Sequence, residues 1–194
     1  MFTFNDVSFR YRDYIFRQFS SEITESKIGI VGKNGVGKTT LLRLLDRQLH
    51  PQQGDVSANG STYLVDFNLT KYAPFIIPDF IDLCSHLQSF DVTNASDILN
   101  SLFLNEYLDL PIGELSKGTK KKVSLLLGFM STADILLLDE PFESLDPDSN
   151  EAIVRHIINR DGGVVTVSHD HAVLKQCVQS VYRVTHQRLE ELSC

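Results

Sequence analysis

The segment from Gly32 to Thr39 constrains this chain more than any other and reads Gly-Lys-Asn-Gly-Val-Gly-Lys-Thr. It matches G-x-x-x-x-G-K-[ST], in which glycines let backbone N–H groups surround phosphates, the lysine reaches the outer phosphates and the hydroxyl binds magnesium. The alternative is a glycine-rich turn before an ordinary helix. The pattern predicts binding of a nucleoside triphosphate, ATP with Mg²⁺. The residues predicted to contact it here are Gly32, Lys33, Asn34, Gly35, Val36, Gly37, Lys38, Thr39 and Thr40.

The flanking segments predict the setting that such a loop needs. Lys27 to Val31 is a short apolar run typical of a buried strand, and it leads directly into the glycines. From Lys38 onward, leucines recur at helical spacing as far as Leu49, and we expect the helix to stop at His50-Pro51 because proline disfavours continuation. Strand, loop and helix therefore follow in the required order.

Other strands are predicted before and after this unit. Phe2 to Tyr11 is rich in aromatic and β-branched residues and indicates an early strand. Val56 to Ala58 and Thr62 to Phe67 read as two short strands separated by Asn59-Gly60, a strong signal for a two-residue hairpin. We therefore expect these two strands to pair with each other.

The last third of the chain alternates strands and a helix. Ile135 to Leu138 and Val164 to Val167 are continuous apolar runs, as expected for parallel strands that are covered on both faces. The segment between them has helical spacing and begins at Asp146-Pro147, where proline suits the first helical position. This alternation predicts an α/β fold with a mainly parallel sheet.

Residues 68–132 combine prolines with apolar patches at helical spacing, which predicts a helical subdomain. Its last helix should begin at Ser116, a good N-cap residue, and the run Lys120-Lys121-Lys122 on that helix is read as a solvated face. We expect one domain over residues 1–194, with an ATP-binding core at about 1–67 and 133–194.

Two carboxylates end the strand that begins at Ile135. Asp139 is placed to bind magnesium, and Glu140 to orient an attacking water. A strand that ends in solvated acids is the commoner explanation for such a run by itself. The phosphate loop on the same chain reverses that preference.

Composition narrows the class of protein. A net charge of −7 over 194 residues does not favour a polyanionic partner, so no nucleic acid is expected. Cys84, Cys177 and Cys194 are odd in number and far apart, which argues against a disulfide framework and a zinc site. No apolar run approaches about 18 residues, and the start lacks a secretory pattern. These features favour a cytoplasmic globular protein.

Two further segments complete an ordered set of motifs. Leu115 to Thr119 reads Leu-Ser-Lys-Gly-Thr, and Val167 to Asp170 reads Val-Ser-His-Asp. With the phosphate loop, the Asp-Glu strand and Ser144-Leu145-Asp146, they make the chain resemble the nucleotide-binding domain of an ATP-binding cassette (ABC) protein over nearly its whole length. The Leu-Ser-Lys-Gly form and the compact size resemble exporter-type members.

The resemblance implies the P-loop NTPase fold of ABC ATPases: α/β, with a mainly parallel central sheet, an N-terminal antiparallel β part and a reduced helical subdomain. It implies catalytic roles for Lys38 on the phosphates, Glu140 on the water and His169 in the transition state. Thr39 and Asp139 would hold the magnesium ion.

The same resemblance implies a shared site. Ser116 and Gly118 would contact the γ-phosphate of ATP held by a second copy, and Asp146 would link the two sites. Tyr11 resembles the aromatic residue that stacks on adenine, although Phe9 and Tyr14 are close enough in sequence to take its place.

Asp66 is a departure from the family pattern. It stands where the family usually has a glutamine that reaches magnesium and couples the site to a membrane partner. A carboxylate also binds magnesium, so Asp66 is a candidate ligand. Its extra negative charge, near Asp139 and Glu140, brings the metal affinity into question.

The function implied by the resemblance is an ATP-hydrolysing subunit on the inner face of the cell membrane. It would form a homodimer or heterodimer around two MgATP and drive integral membrane transporter subunits. One alternative is a non-transport ABC ATPase that acts on the ribosome or DNA. Another is a regulatory nucleotide-binding module with little turnover.

Overall fold

The computed structural model describes residues 1–87 and 89–192. Cys194, one of the three thiols considered above, lies outside these residues. The strands are β1 Phe2–Arg10, β2 Tyr14–Ile23, β3 Lys27–Val31, β4 Gln53–Ala58, β5 Thr62–Leu64, β6 Ile135–Asp139, β7 Gly163–Val167, β8 Ser180–Val184 and β9 Leu189–Leu192. The α-helices are α1 Lys38–Leu45, α2 Ile77–Ser85, α3 Ala95–Ser101, α4 Lys117–Met130, α5 Pro147–Asn159 and α6 His171–Cys177.

The central sheet has six strands in the order β5-β6-β7-β3-β8-β9. Neighbours from β5 to β8 run parallel, and only the last described pair, β8 with β9, is antiparallel. This confirms the predicted α/β fold with a mainly parallel sheet.

A second sheet, in the order β2-β1-β4, is antiparallel throughout its described strands. It is the predicted N-terminal antiparallel part, with β2 as a strand that the sequence did not reveal. The predicted hairpin at Asn59-Gly60 is wrong, because β4 pairs with β1 whereas β5 pairs with β6. Instead, Ser61 donates from its backbone N–H and its hydroxyl to Asp134 Oδ2, at 2.7 and 2.8 Å. The turn is thus held against the start of β6.

Both faces of the central sheet are covered, which explains the continuous apolar runs in its strands. Ile135 and Leu137 of β6 pack against the antiparallel sheet and α1. Leu136 and Leu138 face the opposite way, into a core shared with α2 to α5. Alternate residues of one strand therefore belong to two different cores.

Residues 68–132 contain α2, α3 and α4 and no β-strand among their described positions. As predicted, Ser116 caps α4, since its Oγ accepts from the Thr119 backbone N–H at 3.0 Å. The α1 helix ends at Leu45 and not at the predicted His50. Within the described ranges, none of the helices is both long and apolar enough to cross a bilayer. The boundaries of a separate helical subdomain stay a prediction.

Candidate functional site

Three parallel strands deliver the polar residues of the site to one edge of the central sheet. The Glu140 backbone N–H donates to Val167 O of β7 at 2.9 Å, and the Ser168 N–H donates to Ile30 O of β3 at 3.1 Å. The carboxyl ends of β3, β6 and β7 therefore meet, as is usual for ligand sites in such sheets. The phosphate loop, Asp139, Glu140 and His169 converge there.

The lysine of the loop between β3 and α1 folds back onto the backbone of that loop. Lys38 is buried, and its Nζ donates to Gly32 O at 2.9 Å and to Lys33 O at 3.4 Å. Gly37 has φ 110°, and a Cβ there would collide with Ile15 and lie 2.9 Å from Phe16 Cζ. Glycine is required at this position for both its backbone and its packing.

Thr39 and Asp139 form a direct pair between the loop and β6. Thr39 Oγ1 donates to Asp139 Oδ2 at 2.6 Å. Two hard oxygen donors at such a distance suit Mg²⁺, which binds through one or two protein oxygens and completes its shell with phosphates and water. The predicted magnesium ligands Thr39 and Asp139 are therefore brought together.

Glu140 and His169 form the second pair. The His169 backbone N–H donates to Glu140 Oε2 at 3.2 Å, and His169 Nε2 lies 3.1 Å from Oε1. Oε1 is buried, and no described group makes a hydrogen bond to it in good geometry. Burial raises the pKa of the Glu140 carboxyl, and the His169 contacts and Lys38 charge oppose the increase. His169 thus contacts both oxygens of the Glu140 carboxylate.

These groups line a cavity of about 540 Å³. Its lining residues are Ile15, Asn34, Gly35, Gly37, Lys38, Thr39, Thr40, Asp139, Glu140 and His169. The remaining loop residues, Gly32, Lys33 and Val36, line a neighbouring cavity of about 510 Å³ that also includes His169.

Tyr11 and Asp66 lie within the described part of the chain, but neither of them lines either cavity. Tyr11 is 58% exposed and packs edge-on against Phe9. Asp66 lies two residues beyond β5, and its Oδ1 accepts from the Asn68 backbone N–H at 2.8 Å. Their roles toward adenine and magnesium stay predictions. Ile15 of β2 lines the cavity of about 540 Å³, and it was missed because β2 itself was not recognised.

Ser116 and Gly118 lie apart from both cavities, at the N-terminus of α4. Ser116 is exposed, and a Cβ on Gly118 would lie 3.2 Å from Ser144 O. Asp146 caps α5 through Ser149 and pairs with Lys122 at 3.1 Å. The segment Leu115–Thr119 (the signature segment) therefore lines neither of the cavities that contain the phosphate-loop residues of this chain.

A family model described as ABC transporter matches residues 17–143, which include the loop, the signature segment and the Asp-Glu strand. The chain belongs to this family. As an ABC ATPase domain it is an ATP-binding domain, and membership of the family implies ATP hydrolysis.

Known proteins of several kinds are similar to this ABC domain. An uncharacterized ABC transporter ATP-binding protein of Methanocaldococcus jannaschii is 34% identical, over 74% of this chain and 24% of that protein. The ribosome protection protein VmlR of Bacillus subtilis is 31% identical, over 97% of this chain and 32% of its own length. A dimeric bacterial ABC transporter cassette has a TM-score of 0.83 at 20% identity, with full coverage of both chains, which shows the fold.

The chain spans 17–32% of the length of the curated relatives it matches. Relatives with a transporter name and a relative with a ribosomal one are similar at comparable identity. Family membership therefore establishes an ABC ATPase domain, and it does not distinguish transport from action on the ribosome.

Proposed function

We propose that this chain hydrolyses ATP as one half of a head-to-tail pair and that hydrolysis drives transport by separate membrane subunits. The observation that carries the proposal is the separation of two halves of a site. Lys38, Thr39, Asp139, Glu140 and His169 line one cavity, whereas Ser116 lies apart on an exposed helix N-terminus.

Each residue at the cavity has a proposed task. Lys38 neutralises phosphate charge, and Thr39 and Asp139 hold magnesium, which when bound polarises the phosphates. Glu140 accepts a hydrogen bond from the attacking water in the cavity that it lines. His169 orients the Glu140 carboxylate and stabilises charge at the transferred phosphoryl group.

Ser116 and Gly118 complete the site of the second copy. A helix N-terminus presents unpaired N–H groups and a positive dipole end to an anion. Since α4 begins beside these residues and has 14 residues, it supplies that end to a γ-phosphate held in trans. The dimeric state of the similar bacterial cassette supports this arrangement.

Glu140→Gln tests the proposal. The variant should bind MgATP, lose hydrolysis by on the order of 10³-fold, and accumulate as a dimer in light scattering. Lys38→Ala should remove nucleotide binding in titration calorimetry, which controls for dimerisation without ATP. A Glu140→Gln protein that stays monomeric in saturating MgATP would contradict the shared site.

A second candidate function is favoured by the similarity to a ribosome protection protein over 97% of this chain. The ATPase would then act on the ribosome and not on a transporter. Tagged protein purified from gently solubilised cells separates the two. Copurification of an integral membrane protein at stoichiometric yield supports transport at the inner face of the cell membrane. Copurification of ribosomal particles supports action on the ribosome.

A further inference from the structure

Lys121 of α4 is held by the loop that carries the Glu140 carboxylate. Its Nζ donates to Glu140 O at 2.5 Å and to Glu143 O at 2.8 Å. The side chain is half-buried, which lowers the pKa of its ammonium group. The prediction that this lysine belongs to a solvated helix face is therefore wrong.

The backbone that Lys121 contacts is conformationally costly. Glu140 has φ 53° and Ser144 has φ 65°, both in the left-handed region that residues other than glycine rarely adopt. Glu140 O accepts from the Glu143 N–H at 3.3 Å as well as from Lys121. The ammonium group thus bridges the carbonyl oxygens of Glu140 and Glu143, the first and last residues of this turn.

The same ammonium group reaches a second segment. It lies 5.2 Å from the centre of the Phe67 ring, at a distance suited to a cation–π contact. Phe67 follows Asp66, beyond the end of β5, so Lys121 joins the segments that follow two adjacent strands. Lys121 is also five residues from Ser116, or about 7.5 Å along the helix axis.

We propose that Lys121 is a positioning residue for Glu140, fixing its strained backbone so that the carboxylate stays at the nucleotide cavity. The inference rests on the proposed role of Glu140 in hydrolysis. Lys121 does not line the described cavity, so it acts through the Glu140 backbone and not on the nucleotide. It also ties the catalytic turn to the helix whose N-terminus is proposed to serve the partner's site.

Lys120 provides a matched control on the same helix. Its Nζ donates to Gly113 O at 2.7 Å, away from residues 140–146. Lys120→Met and Lys121→Met remove the same charge from adjacent positions, while both keep the apolar stem. Lys121→Arg keeps the charge and can donate to two carbonyl groups.

The experiment compares kcat for ATP hydrolysis with the Kd for a non-hydrolysable ATP analogue. Lys121→Met should lower kcat by on the order of 10- to 100-fold and leave Kd within about twofold of the wild-type value. Lys120→Met should change neither, and Lys121→Arg should recover a large part of kcat. Equal kcat in the two methionine variants would overturn the proposal.

Two further measurements keep the outcomes distinct. In a Glu140→Gln background, Lys121→Met should lower kcat no further, because the lysine acts through a carboxylate that is gone. If Lys121→Met fails to fold, Lys121→Leu, which also removes the donor, takes its place, and wild-type kcat in that variant would refute the inference. Full activity in Glu140→Gln alone would instead refute the proposed function.

Discussion

Glu140 is a carboxylate that folding makes harder to ionise. Burial raises its pKa, so the folded protein holds the proton more tightly than the unfolded chain does. Stability must then fall as the pH rises from the unfolded value of about 4.3 through the folded value. An uncharged side chain of the same shape avoids this cost.

We therefore predict that Glu140→Gln is more stable than the wild type at pH 7, by roughly 1–4 °C in Tm. The difference should shrink as the pH falls to the unfolded pKa of about 4.3 and below it, because Glu140 then takes up its proton in both states. Differential scanning fluorimetry across this range checks it. Glu143→Gln changes an exposed carboxylate three residues away and should show no such trend. A Tm difference that is constant with pH would show that burial of charge is not the cause.

Glycine is required at position 37 for two reasons, its positive φ and the close packing of Ile15 and Phe16. A pair of alanine variants can separate the two contributions. Gly35→Ala meets a φ of 80° but no atom within 4 Å, and should cost about 1–2 kcal/mol from backbone strain. Gly37→Ala meets a φ of 110° and contacts with Ile15 and Phe16, and should cost a further ~1–3 kcal/mol. Free energies of urea unfolding measure both. Equal losses would mean that β2 yields to the new methyl group.

At the scale of elements, the start of α5 depends on one side chain. Asp146 Oδ1 accepts from the Ser149 N–H at 2.8 Å, and Oδ2 accepts from the Ser149 hydroxyl at 2.7 Å and from Lys122 at 3.1 Å. These partners, Ser149 foremost, hold the pKa of Asp146 well below its usual range. Its stabilising effect is complete above pH 3.9, the usual unfolded value, and falls as the pH drops toward the folded value.

Asp146→Ala should therefore destabilise the protein by about 1–2 kcal/mol at pH 7, and by less at pH 3. Asp146→Asn keeps a capping oxygen and should lose less. Asp148→Ala removes an exposed charge from the same helical turn and should cost only a few tenths of a kcal/mol. Chemical denaturation at the two pH values tests the series. A deficit that grows on acidification would contradict the assigned role of the carboxylate.

Elements with local signals were predictable from the sequence. The caps at Ser116 and Asp146 and the apolar runs of β6 and β7 lie where short-range patterns placed them. The pairing of β4 and β5 was not predictable, because Asn59-Gly60 specifies a turn but not whether the strands on its two sides pair with each other. The choice is made by long-range contacts such as that of Ser61 with Asp134.

The same limit separates the parts of the candidate site. Residues within motifs, such as Lys38 and Asp139, were found because each motif has a fixed spacing. Ile15 and Lys121 contact the site region through tertiary structure and belong to no such spacing, and the lysine run looks like any solvated helix. A residue that supports another through its backbone leaves no pattern in a single sequence.

At the scale of the whole molecule, the proposed head-to-tail pair makes each site a product of two chains. Lys38 and Ser116 of one chain would then serve different sites in the dimer. A defect in the phosphate loop of one chain and a defect in the signature segment of the other would leave one site intact. Mixed dimers of two inactive proteins should therefore be active.

Lys38→Ala and Ser116→Asp are the variants for this test. Aspartate at Ser116 keeps an N-cap acceptor for α4 but sets a negative charge against the partner's γ-phosphate. Each variant alone should be inactive, and an equimolar mixture should recover up to about a quarter of wild-type ATPase activity, since half the dimers are mixed and each has one whole site. Steady-state ATPase assays over a range of mixing ratios measure this. Activity in Ser116→Asp alone would mean that a chain completes its own site, and dimers that form without activity in the mixture would mean that one whole site is insufficient.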